Sequence, residues 1–203
     1  NPLRGQNNVQ GSCDMGSFPH EFSGYRHVGD DTVRQMFETV WQTTLDPEPG
    51  LRIPNMLDAA IEGTYKGIFV QGEDIAQSDP NTVHVTEALS RMECVVVQDL
   101  FLNETAAYAH VFLPGTSFLE KDGTFTNAER RINRVRMVKK PMQGKHEWQV
   151  VCELAQAMGY DMRYDSASEI MDEIARVTPT FKGVSFAKIE AMGSVQWPCN
   201  DAA

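Results

Sequence analysis

Three short apolar runs constrain this chain more than any other feature: Ile68-Phe69-Val70, Cys94-Val95-Val96-Val97, and Val111-Phe112-Leu113 within the strand expected from Ala109 to Leu113. Each is too short for a buried helix, is apolar without alternation, and closes on a turn: Gln71-Gly72-Glu73-Asp74, Gln98-Asp99 and Pro114-Gly115. A strand with consecutive apolar residues needs both faces covered, the pattern of a parallel sheet between helices. Asn55 can cap a helix containing Met56, Leu57, Ala59, Ala60 and Ile61, and a second helix is expected over Thr82 to Arg91. Strands alternating with helices imply right-handed crossovers. The expected fold class is therefore α/β, a three-layer Rossmann-like domain with a mainly parallel sheet.

Around this centre the pattern is less regular. The stretch up to Tyr25 reads as extended loop. Asp30 or Asp31 can cap a helix whose apolar stripe is Val33, Met36, Phe37, Val40 and Trp41, and Asp46-Pro47-Glu48-Pro49-Gly50 breaks the chain after it. Past the third strand, Gly123-Thr124-Phe125-Thr126-Asn127 and the basic run from Arg130 to Lys140 read as a bent hairpin or edge excursion. Trp148 to Met158 is an amphipathic helix ended by Gly159, Ser166 or Ser168 caps another reaching Val177, and Phe186 to Met192 is a last short one. The expected division is residues 1–50 as a loop and helical lead-in, 51–180 as the α/β domain, and 181–203 as a segment leading to a further domain. Asn1-Pro2-Leu3-Arg4-Gly5 contains neither a start methionine nor an apolar signal core, so the chain reads as cut from something longer.

A net charge of −10 argues against a nucleic-acid surface, which is basic. No stretch approaches the roughly 20 apolar residues of a membrane helix, so no membrane span is expected. Cys13, Cys94, Cys152 and Cys199 lie far apart with no C-x-x-C, and the five histidines show no i, i+4 pair, so no metal ligand is assigned. Reduced cysteines in the cytoplasm are the simplest reading.

In open parallel sheets ligands bind beyond the carboxyl ends of the strands. Two loops stand there, Gln71-Gly72-Glu73-Asp74 and Gln98-Asp99. Gly72 lets the backbone approach a ligand, and the carboxylates can accept hydrogen bonds from ribose hydroxyls or a guanine edge. The same residues also make an ordinary turn, and the G-x-G-x-x-G fingerprint of NAD sites is absent. The amino-terminal Arg4-Gly5-Gln6-Asn7-Asn8-Val9-Gln10-Gly11 concentrates one fixed cation and four side-chain amides between two glycines. Such a loop can offer many donors to an anionic ligand, or simply be a solvated polar loop.

Together, and in this order, six segments resemble the molybdopterin-dependent formate dehydrogenases of the dimethyl-sulfoxide-reductase family. They are Arg4 to Gly11 with Cys13-Asp14-Met15-Gly16; Gly72-Glu73-Asp74; Gln98-Asp99-Leu100-Phe101; Ala109-His110-Val111-Phe112-Leu113-Pro114; Gly123-Thr124-Phe125-Thr126-Asn127-Ala128-Glu129-Arg130-Arg131; and Gln196-Trp197-Pro198-Cys199. The resemblance spans essentially the whole chain and is nearest the catalytic (alpha) subunit of the soluble NAD-linked enzymes.

That resemblance implies a centre of molybdenum (or tungsten) with two molybdopterin guanine dinucleotides, at which formate is oxidised to carbon dioxide. Gly72, Glu73, Asp74, Ser78, Gln98 and Asp99 would line the guanosine end of one dinucleotide. Asn103, Thr105 and Glu147 match positions near it, the last where related enzymes carry the shorter Asp. Arg4 matches the arginine that engages formate, and Gln6 a polar neighbour of the cofactor. The Cys-His (or selenocysteine-His) pair that binds the metal, and the motif for an iron–sulfur cluster, are not in this sequence. They would come from other domains of the same subunit, with iron–sulfur and flavin subunits as electron-transfer partners. The chain by itself is expected to be inactive. Two other readings fit the fold: a structural module of the iron–sulfur subunit of respiratory NADH dehydrogenase, and a nucleotide-binding domain of the thiamine-diphosphate enzymes. Neither needs Arg4, the amide loop and the acidic strand tips together.

Overall fold

A computed structural model describes residues 6–200. Its elements in chain order are α1 Val9–Asp14, β1 Glu21–Phe22, β2 Arg26–His27, α2 Asp31–Trp41, α3 Ile53–Ile61, β3 Gly67–Gln71, α4 Ile75–Ser78 and α5 Thr82–Arg91. They continue with β4 Cys94–Asp99, β5 Val111–Pro114, β6 Gly123–Thr126, β7 Arg131–Val135, α6 Glu147–Ala157, α7 Ala167–Val177, α8 Phe186–Met192 and β8 Ser194–Gln196. Contacts divide the chain into two units. One comprises residues 1–50, 122–137 and 152–203; the other comprises 51–121 and 138–151.

The second unit is the mixed α/β domain expected from the three apolar runs. Strands β3, β4 and β5 are neighbours in that order and both pairings are parallel. Register sets Phe69 beside Val96 and Val96 beside Val111, with Val70, Val97 and Phe112 in the next row. Side chains alternate between faces of a strand. Val95 and Val97, both fully buried, join Leu57 and Ala60 of α3 and Val85, Ala88 and Leu89 of α5 in one core. The opposite row is less covered, with Phe69 36% and Val111 46% exposed.

Local chemistry explains most element boundaries. Asp30 caps α2 by accepting from the N–H groups of Thr32 and Val33, and Ser166 caps α7 through the Glu169 N–H. Asn81 caps α5 through the N–H of His84. Asn55 does not cap α3. That helix begins at Ile53, with Arg52 at the cap and Pro54 in the first turn, where a missing N–H costs nothing. The amino-terminal stretch is likewise not all loop, because α1 forms within it.

In the first unit the basic run closes as a hairpin. Strands β6 and β7 pair antiparallel, and β8 adds to β7 on its other side. Ile132 of β7 and Val195 of β8 share a core with Met171, Phe181, Val184 and Ile189. Among the described residues, no helix is long and apolar enough to cross a membrane.

Candidate functional site

The carboxyl edge of the parallel sheet is built by backbone register. Gln71, Gln98 and Leu113 stand side by side at the ends of β3, β4 and β5. Beyond them the Gly72 N–H donates to the Gln98 carbonyl at 2.9 Å, and the Gly115 N–H donates to the Asp99 carbonyl at 2.8 Å. Gly72 has φ 65°, a left-handed conformation that glycine adopts without penalty, and open space lies where a Cβ would stand. At Gly115 a Cβ would sit 3.0 Å from the Asp99 carbonyl carbon. Close approach therefore favours glycine at Gly115, and backbone conformation favours it at Gly72.

The carboxylates along this edge are already engaged within the unit. Asp74 Oδ1 accepts from the Thr105 N–H at 2.9 Å and the Thr105 hydroxyl at 2.6 Å, while Oδ2 accepts from the Glu104 N–H at 3.3 Å. Thr105 is fully buried and its hydroxyl oxygen accepts the Ala76 N–H at 3.0 Å. Partial desolvation raises the Asp74 carboxyl, but these donors outweigh it and hold the group below its ordinary range. Asp99 takes its own neighbour's N–H, that of Leu100, at 2.5 Å through Oδ1 and the Asn103 amide at 3.0 Å through Oδ2. The Ser78 hydroxyl donates to Glu73 at 2.6 Å. Beyond β5, Glu147 accepts from the Thr116 N–H at 2.9 Å and from the Thr116 hydroxyl, and pairs with Lys121 at 2.8 Å. Burial pushes the Glu147 carboxyl up, and Lys121 and Thr116 together bring it below the usual value.

The edge retains polar capacity all the same. Gln98 is only 2% exposed; its carbonyl oxygen accepts from the Gln71 amide at 2.9 Å, while its own Nε2 is buried with no partner among the described residues. An unsatisfied buried donor beside an open glycine turn fits a polar ligand with acceptor atoms, such as the end of a nucleotide. Thr116 and Lys121 are the site neighbours that the sequence reading missed. The rule that found Gln98 and Asp99 could have found Thr116 too, since it follows the third strand. Lys121 had no local signal. Gln6 is exposed and belongs to the other unit, and Arg4 lies outside the described residues. Among the described residues, no group of three or more His, Cys, Asp or Glu side chains is placed to hold a metal ion.

The chain is 46% identical over 198 residues to a Staphylococcus haemolyticus protein named as a formate dehydrogenase, covering 97% of this chain and 20% of that protein. It is 43% identical to the alpha subunit of an F420-dependent formate dehydrogenase from Methanocaldococcus jannaschii, covering 99% of this chain and 30% of the relative. Its counterpart from Methanococcus maripaludis is 45% identical over 98% of this chain and 29% of its own length. The chain thus spans less than a third of these relatives. Among solved structures, acetylene hydratase from Pelobacter acetylenicus shares the fold with a TM-score of 0.60 at 18% identity, over 83% of this chain and 24% of the other. Residues 5–157 match the molybdopterin oxidoreductase family, and the chain belongs to it.

Proposed function

We propose that this chain is part of the catalytic subunit of a formate dehydrogenase, oxidising formate to carbon dioxide at a molybdenum (or tungsten) bis(molybdopterin guanine dinucleotide) centre. The observation that carries the reading is identity above 40% along nearly the whole chain to relatives named for that activity. The edge formed by Gly72, Glu73, Gln98 and Asp99 holds the guanosine end of one dinucleotide. Gly72 admits the ligand to the backbone, and the unpaired Gln98 amide donates to it. Asp74, Ser78, Asn103, Thr105 and Glu147 shape the edge by binding one another and its loops. Gln6 is a polar neighbour of the cofactor, and Arg4 holds the formate carboxylate, because a guanidinium is always charged and matches a carboxylate bidentately. The bound cofactor supplies the two-electron chemistry, while the chain supplies orientation and electrostatics. Electrons pass to an iron–sulfur cluster in the same subunit and on to iron–sulfur and flavin partner subunits in the cytoplasm.

The test uses the full-length subunit with its partners. Elemental analysis is expected to find molybdenum or tungsten, and formate is expected to reduce a redox dye. A metal-loaded enzyme that does not turn over formate sinks the substrate assignment. Asp99→Ala is expected to lower metal content without unfolding the domain, and full metal loading in that variant removes the nucleotide assignment.

A further inference from the structure

Three of the six sequence segments that mark this chain meet at one point, in the unit that also carries Gln6. Asp14, at the end of α1, is fully buried. Its Oδ1 accepts from Arg130 Nη2 at 2.6 Å, the Tyr25 hydroxyl at 2.7 Å and the Gln10 amide at 2.9 Å. Arg130 lies between β6 and β7 with φ 63°, a left-handed conformation that costs a residue with a Cβ energy unless its surroundings impose it. Those surroundings are visible. Its guanidinium carbon lies 3.4 Å from the centre of the Trp197 ring and 5.3 Å from that of Tyr25, and its carbonyl accepts the Trp197 N–H at 2.9 Å. At the other end of α1, Asn8 Oδ1 accepts the Thr126 N–H at 2.8 Å, and Gly11 leaves room for that amide, since a Cβ there would stand 2.2 Å from the same oxygen. Both ends of a six-residue helix are thus tied to the β6–β7 hairpin.

A helix this short has little stability of its own, so tertiary ties must fix where it stands. Residues 4–8 lead directly into it. We propose that Asp14, Arg130 and Trp197 form a positioning clamp that fixes α1, the helix that follows the substrate-holding Arg4 in sequence. Arg130 touches neither substrate nor cofactor in this assignment; it acts through Asp14 and the helix. The inference rests on the substrate role given above to Arg4.

The experiment uses the full-length metal-loaded enzyme, with hydrogen–deuterium exchange of peptides covering residues 4–11 and kinetics expressed per bound metal. Arg130→Gln is expected to speed exchange in those peptides and to lower kcat/KM for formate on the order of a hundredfold, as small displacements of an orienting group do. Arg130→Lys keeps the ion pair but loses the planar stack, and is expected to fall between; it carries the test where the Gln variant fails to accumulate. In an Arg4→Ala background the Arg130→Gln change is expected to cost no more than about twofold, because the oriented group is gone. Unchanged exchange in residues 4–11, an activity loss proportional to lost metal, or costs that add fully across the two positions would each overturn the clamp. Near-normal turnover by Arg4→Ala alone would instead remove the substrate reading, leaving the exchange data to decide the clamp.

Discussion

Asp74 and Arg4 call for different tests, because the fold itself engages Asp74 while the proposed partner of Arg4 is the substrate. Asp74 satisfies three donors on Thr105 and Glu104, and Thr105 is fully buried. Asp74→Ala strands those donors and is expected to cost about 1–3 kcal/mol, read by urea unfolding. The carboxyl is held below its ordinary range by these bonds. A lowered folded-state value means the contribution is present above the ordinary Asp value of about 3.9 and is lost as pH falls through the folded value. The stability gap between wild type and Asp74→Asn is therefore expected to be full near neutral pH and to shrink in acid below about pH 4; a gap independent of pH would show that the ionised carboxylate is not what these donors need. Arg4 has a different signature. In the full-length enzyme Arg4→Ala is expected to cost on the order of 3 kcal/mol, about a hundredfold in rate, with metal content unchanged. Lys should rescue only in part, because it keeps the charge and loses the planar fork.

The elements of the parallel sheet follow from simple demands. Strand β4 is central, so Val95 and Val97 are sealed under α3 and α5, where Leu89 is 1% exposed. Leu89→Ala is expected to destabilise by about 2–5 kcal/mol, since the cavity cannot fully collapse. The turn after β3 makes a conformational demand instead. A side chain at Gly72 meets open space but a backbone at φ 65°. Gly72→Asn should therefore be nearly neutral, whereas Gly72→Val should cost about 1–2 kcal/mol, because asparagine tolerates the left-handed region and a β-branched residue does not. Equal costs for the two would show that contact, rather than backbone, sets the preference. The strands were legible because apolar runs bounded by turns have one stable solution in water. The start of α3 was not, because Asn55 is a good cap in isolation while Pro54 two residues after Arg52 already fixes an earlier first turn.

At the scale of the molecule, the row formed by Phe69, Val96 and Val111 has solvent access that parallel sheets normally deny, with Phe69 36% and Val111 46% exposed. Expressed alone, the chain is expected to associate through such apolar surface, and a Phe69→Lys, Val111→Thr variant to sediment closer to monomer; identical sedimentation would show that this face is not what associates. The sequence by itself determined the α/β class, the three parallel strands, the tips that carry Gln98 and Asp99, and the caps of α2 and α7 to within two candidates each. These depend on periodicity and on bonds spanning a few residues, which any window of chain reveals. Only the tertiary structure decided that Asp74 is closed by Thr105, that Thr116 and Lys121 hold Glu147, and that Asp14, Arg130 and Trp197 meet. Asp14 and Arg130 are 116 residues apart in sequence, and a carboxylate carries no mark of its eventual partner. Helix α1 was invisible for the same reason: six residues cannot stabilise a helix, and the hairpin that holds it arrives more than a hundred residues later.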